Sequence, residues 1–158
     1  MSKITPFLWF TDQAEEAANL YTSLVKNSKT NNISRYPENS PGQAGTVMTV
    51  SFELDGQQFT ALNGGPLFKF TEAVSFVINC EDQAEVDKLW YGLTANGGEE
   101  VQCGWLKDKF GLSWQIVPQV LMDLMADPDK EKTDRVYQAM LKMKKLDIEG
   151  LKKAFAGV

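Results

Sequence analysis

Cys103-Gly104-Trp105-Leu106-Lys107-Asp108-Lys109-Phe110-Gly111-Leu112-Ser113-Trp114-Gln115-Ile116-Val117-Pro118 is the stretch from which the rest of the chain can be read. Its composition predicts two short strands joined around Phe110-Gly111, the second running from Leu112 to Val117 with aromatic, β-branched and polar residues mixed. Two tryptophans and a glutamine inside a sheet are costly unless they line something. The stretch has a partner earlier in the chain, where Gly56 and Phe59 match Gly111 and Trp114 at an offset of 55.

Working outward, the same doubling recurs. Ile4 to Phe10 reads as a strand with Thr5, Phe7 and Trp9 on one face, and Ala73 to Asn79 as its mate with Ser75, Val77 and Asn79 on one face. Asp12-Gln13-Ala14-Glu15 recurs as Asp82-Gln83-Ala84-Glu85 at an offset of 70, and Tyr21 recurs as Tyr91. Both quartets have the form of a capping-box helix start. Ala14, Ala17, Ala18, Tyr21, Leu24 and Val25 then carry helical spacing, as do Val86, Leu89, Trp90 and Leu93. Strands follow over 31–36, 46–54 and 57–62 in the first half, with a hairpin at Asp55-Gly56. In the second half they follow over 99–103, 105–109 and 112–117. Pro37 to Gly45, rich in Pro, Asn, Ser and Gly, reads as a loop or flap.

Each half is therefore β-α-β-β-β, and the repeat spans 3–63 and 73–118 within one domain of residues 1–158. Residues 119–158 have another character. Leu121 to Met125, the Val136–Met143 stripe and a helix capped by Asp147 predict three helices covering the sheet or a partner subunit. The fold class is α+β, with two tandem modules forming a curved mixed sheet around a cleft.

Composition limits the chemistry. The net charge of −5 opposes binding to nucleic acid or an anionic membrane, and no apolar run approaches the length of a membrane span. No basic-then-apolar leader is read at the start. Two cysteines do not make a disulfide framework, so a reduced, cytoplasmic protein is expected. The chain has no histidine. That removes the usual neutral-pH base, the Ser-His and Cys-His nucleophile pairs, and every imidazole ligand for a metal.

The order of elements resembles the vicinal oxygen chelate superfamily of glyoxalase I, extradiol dioxygenases and bleomycin-resistance proteins. Within it the chain is similar to the PhnB-like family, labelled 3-demethylubiquinone-9 3-methyltransferase-like. The resemblance rests on Asn63-Gly64-Gly65-Pro66, Val74-Ser75-Phe76, Cys80-Glu81-Asp82-Gln83, Gly97-Gly98, the stretch from Cys103 to Pro118, and Ala139-Met140-Leu141 with Met143 to Asp147. It implies metal ligands on the first and last strands of each half, and these positions here are Thr5, Thr60, Ser75 and Gln115. All are neutral, and hydroxyls and an amide are weak ligands for zinc, iron or nickel. No cofactor is expected. The resemblance also implies a homodimer.

What remains is a cleft for an unknown small, partly polar molecule, bound by Thr5, Phe7, Trp9, Thr60, Ser75, Trp105 and Gln115, with Phe59 and Trp114 as further aromatic walls. Whether the chain is an enzyme stays open. Cys103 is a candidate nucleophile or a half-buried structural thiol, and Asp108 a base facing the cleft or an exposed turn residue. Glu53 and Glu72 read as solvated. Neither glycine pair opens a helix after a strand, as a nucleotide-binding turn must, so the residues do not supply an S-adenosylmethionine site. Sequestration of a toxic ligand is a variant of the binding reading.

Overall fold

A computed structural model describes residues 2–158; Met1 lies outside them. The chain runs β1 (Phe7–Phe10), α1 (Ala14–Leu24), β2 (Lys29–Arg35), β3 (Val47–Leu54), β4 (Gln57–Asn63), β5 (Ser75–Cys80), α2 (Gln83–Thr94), β6 (Glu99–Glu100), β7 (Trp105–Lys107), β8 (Ser113–Pro118), α3 (Gln119–Met125), α4 (Lys130–Leu141) and α5 (Ile148–Ala156). It divides into two compact units, one ending at Phe70 and the other running from Thr71 to Val158.

In the first unit the sheet has the order β1-β4-β3-β2. β1 lies parallel to β4, and the other pairs are antiparallel. Asp55 and Gly56 both adopt positive φ, as a two-residue type I′ hairpin requires, and this sets the β3–β4 register. Period-two alternation then turns Val50, Phe52 and Leu54 of β3 and Phe59 and Ala61 of β4 toward α1. The helix answers with Ala14, Ala17, Ala18 and Tyr21, all buried, and Tyr21 meets the Phe52–Phe59 ring stack.

The second unit repeats this arrangement in the order β5-β8-β7-β6, with β5 parallel to β8. Val86, Leu89, Trp90 and Leu93 of α2 are buried, as are Leu106 of β7 and Trp114 and Ile116 of β8 on the sheet it covers. The strand registers coincide with the sequence offsets. Phe7 pairs with Thr60 as Val77 pairs with Gln115, and Phe10 with Asn63 as Cys80 with Pro118.

The helices depart from that offset by one residue. α1 is capped at Gln13 and α2 at Asp82, 69 positions apart, so Tyr21 corresponds to Trp90 rather than Tyr91. Tyr21 is fully buried, whereas Tyr91 is 59% exposed. The shift also separates the two quartets. Asp82 accepts from the Glu85 amide, and Glu85 accepts from the Glu81 amide in return. Asp12 sits one place too early to cap. The Ala14 amide donates instead to Oδ1 of Asn63, 49 residues away at the end of β4, at 2.8 Å. Only the second capping box forms.

The second half's second strand, β6, is also shorter than the expected 99–103. After Glu99–Glu100 the chain leaves the sheet, and Cys103 takes a positive φ of 61° in the turn before β7. That turn docks the C-terminal helices: the Cys103 and Gly104 amides donate to the Met143 and Lys144 carbonyls, each at 2.8 Å. Gln83 of α2 fastens the same segment, donating to the Leu146 carbonyl and accepting from the Ile148 amide. Val117, Leu121, Val136, Leu146 and Leu151 form a shared core with Leu124, Met140, Met143 and Phe155 around it. The tail covers the second unit of its own chain. Among the described residues no helix is long and apolar enough to cross a membrane.

Candidate functional site

Each sheet has one face against its helix and one face turned away. Because Trp114 and Ile116 of β8 point toward α2, alternation places Ser113, Gln115 and Val117 on the other side, which the tail closes at the Val117 end and leaves uncovered by a helix at Gln115. Register carries that face across the sheet in two rows. One is Ser75–Ser113–Lys107, on β5, β8 and β7 in turn; the next is Val77–Gln115–Trp105. Gln115 crosses between the rows, its Nε2 donating to Ser75 Oγ at 3.0 Å. The open face of the second unit thus brings together Ser75, Trp105 and Gln115 of the expected site.

The first unit repeats the arrangement with other residues. Thr60 and Leu62 of β4 share the open face with Phe7 and Trp9 of β1, paired Phe7 to Thr60 and Trp9 to Leu62. Phe7 is largely exposed. Thr5 lies before the strand and is exposed, although the chain still runs beside β4, where the Thr60 amide donates to the Pro6 carbonyl. Trp9 is partly enclosed. Its Nε1 donates to the Gly65 carbonyl at 2.9 Å, Phe68 meets it edge-on, and a Cβ at Gly64 would fall 2.4 Å from the indole. The Asn63-Gly64-Gly65-Pro66 segment is shaped to pack an indole.

Two of the expected aromatic walls lie on the opposite side of their sheets. Phe59 and Trp114 are buried on the helix-facing side, as the alternation that exposes Thr60 and Gln115 demands. Asp108 is not an exposed turn residue: it is 2% exposed. Its Oδ1 accepts from the Phe110 and Leu112 amides at 2.9 and 3.0 Å, and its Oδ2 accepts from Trp114 Nε1 at 2.9 Å. A carboxylate so engaged holds the β7–β8 turn in shape. Cys103 is half-buried in the turn under the tail, and Cys80 is buried.

Sequence reasoning passed over Lys107, Ser113 and the role of Glu72. Lys107 forms an ion pair with Glu72, which raises the lysine's pKa above its ordinary value and lowers that of the glutamate, mainly through the hydrogen bond between them. Ser113 is 1% exposed, and its Oγ has no hydrogen-bond partner among the described residues. Counting back by two from Gln115 would have found Ser113.

Thr5, Thr60, Ser75 and Gln115, the positions at which the resemblance implies metal ligands, offer no charged or strongly basic donor. Among the described residues no three His, Cys, Asp or Glu side chains gather as a metal site would need. The donor set does not fit a resident transition metal.

A family model described as 3-demethylubiquinone-9 3-methyltransferase matches residues 2–117. A solved structure described as a putative 3-demethylubiquinone-9 3-methyltransferase, PhnB protein, from Bacillus cereus is 40% identical, with a TM-score of 0.68, over 74% of this chain and 99% of its own. A Pseudomonas aeruginosa protein aligns at 19% identity and TM-score 0.61, over 75% of this chain and 98% of its own. A genomically encoded fosfomycin resistance protein from Listeria monocytogenes aligns at 14% and 0.50, over 75% and 93%; these two likenesses concern the fold alone. No curated protein matches the chain significantly. The matched region ends inside β8, so α3, α4 and α5 lie beyond the family model. Up to that point the chain belongs, by family model and by structural likeness, to the PhnB-like 3-demethylubiquinone-9 3-methyltransferase family.

Proposed function

We propose that this chain binds a small, partly polar molecule on the open faces of its sheets, without a metal. The observation that carries the reading is the Gln115–Ser75 hydrogen bond beside Trp105, on a sheet face that the superfamily uses for metal ligation and this chain fills with hydroxyl, amide and indole. Such a surface offers donors that orient a ligand and an aromatic plane that supports it. Thr5, Phe7, Trp9 and Thr60 belong to the corresponding face of the first unit. A homodimer in the cytoplasm is part of the same proposal, the latter supported by two cysteines kept as thiols.

Methyl transfer, which the family description names, finds no matching binding turn. Gly64 is a glycine because Trp9 lies against it, and Gly98 because the Thr94 Cα would stand 2.6 Å from a Cβ there. Neither leads from a parallel strand into a helix N-terminus, so neither fits the phosphate- or cofactor-cradling glycine turn of a dinucleotide fold. The metal-independent enzyme reading gains no support from Asp108, whose two oxygens serve the turn.

Native mass spectrometry of the untagged protein, purified without chelators, is the test. A dimer carrying an additional small organic mass and no metal is the expected result. A stoichiometric transition metal overturns the reading of Thr5, Thr60, Ser75 and Gln115. Titration calorimetry with S-adenosylmethionine is expected to give no binding heat, and saturable binding would restore methyl transfer.

A further inference from the structure

We infer that Lys107 and Ser113 form an oxyanion subsite on the open face of the second sheet, for a small organic anion (a carboxylate or phosphonate) whose apolar body lies along Trp105 and Val77. The inference rests on the binding reading above and names its ligand class. Residues paired across neighbouring strands stand about 5 Å apart on one face, so Ser75, Ser113 and Lys107 make a continuous row over β5, β8 and β7. The adjoining row, Val77–Gln115–Trp105, is apolar at both ends and amide in the centre. Together they have one edge for a charged head and one for a flat body.

Three observations point to a ligand group at the polar row. Ser113 Oγ is buried with no hydrogen-bond partner among the described residues, a costly state for a polar group that nothing satisfies. Lys107 stands directly opposite it and already holds a carboxylate, that of Glu72. Glu72 sits before β5 with its side chain 58% exposed, so an incoming oxyanion can take its place on the ammonium and accept the Ser113 hydroxyl. In a chain of net charge −5, a small anion needs such a local cation.

The corresponding row of the first unit lacks this opening. There the paired residues are Glu53 and Gln58, and the row closes on itself: Gln58 Nε2 donates to Glu53 Oε1 at 3.1 Å, and Lys29 pairs with Glu53. The charge is reversed, and the amide of Gln58 is met.

Calorimetric titration of phenylphosphonate, benzoate and neutral benzamide tests the subsite on wild type, Glu72→Gln, Lys107→Gln and Ser113→Ala. Removing the internal carboxylate in Glu72→Gln is expected to tighten either anion about fivefold and leave benzamide unchanged, a size set by exposed ion pairs. Lys107→Gln should remove the preference for anions over benzamide, and Ser113→Ala should weaken the anions a few fold. Circular dichroism melts confirm that each variant folds; should Lys107→Gln not fold, Glu72→Gln carries the test. Anions bound by Glu72→Gln no more tightly than benzamide, or not bound at all, overturn the subsite. Benzamide binding that survives that result leaves the wider binding reading standing, and a metal found by mass spectrometry removes the wider reading alone.

Discussion

The two units share a strand plan but secure it by different means. The first fastens its helix start from afar: Asn63, at the end of β4, accepts from Ala14, donates to the Val47 carbonyl and receives the Tyr36 hydroxyl on its own carbonyl. The second fastens its helix start locally, through Asp82 and Glu85. At the opposite end the roles reverse. The first unit closes its central hairpin with a two-residue turn that needs only Asp55 and Gly56 in positive φ. The second has a turn one residue longer and stabilises it with the buried Asp108 carboxylate. Extra loop length is tolerated where a side chain replaces the backbone geometry that a tight turn supplies for itself.

The contrast is sharpest at Asp108. Replacing it with Ala leaves a buried amide, a part-buried one and a buried indole N–H without that acceptor, and is expected to cost about 3 kcal/mol or more. Urea unfolding followed by tryptophan fluorescence measures it; a loss under about 1 kcal/mol would show the turn stands without its carboxylate. Asn63→Ala comes next at about 2 kcal/mol, since one amide cap and one carbonyl partner go together. Asp82→Ala should cost about 1 kcal/mol, the ordinary value of a lost cap. Equal losses at Asn63 and Asp82 would break the distinction between a distant and a local cap.

The smallest effect concerns the tail. Asp87 lies between Lys145 and Gln83, and hydrogen bonds from both hold its carboxyl below its ordinary pKa. A group whose folded pKa is lowered stabilises the fold above its unfolded pKa and loses that contribution as pH falls through the folded one. Asp87→Asn should therefore lower stability slightly at neutral pH and not at all in strong acid, the difference being a few tenths of a kcal/mol for so exposed a pair. A pH series of thermal melts for both proteins reads it out.

Much of this plan is legible in the chain. Alternation and the Asp55-Gly56 turn fix strands and register, and the offsets of 70 and 55 reappear as the pairings of β1 with β4 and of β5 with β8. The helices were less legible. The quartet Asp-Gln-Ala-Glu invites an alignment at 70, whereas packing sets them one residue out, because a helix is placed by the face it buries and not by its first residues. The cap of α1 could not be foreseen, since the acceptor for the Ala14 amide, Asn63 Oδ1, arrives from 49 residues away. On the site, the period of a strand that turns Thr60 and Gln115 to the open face excludes their neighbours Phe59 and Trp114 from it. Asp108 misled for another reason: a turn aspartate is ordinarily solvated, and only the indole of Trp114 marks this one as internal.

The docking of the tail also has a consequence for the order of synthesis. Everything that completes the first sheet and its helix has been made once Asn63 and the aromatic residues at 68 and 70 are in place. Val117, by contrast, waits for Leu146 and Leu151, and the Cys103-Gly104 turn waits for the Met143 and Lys144 carbonyls. On the ribosome the first unit can close while the second is still being translated. The second unit finishes only when almost the whole chain has emerged.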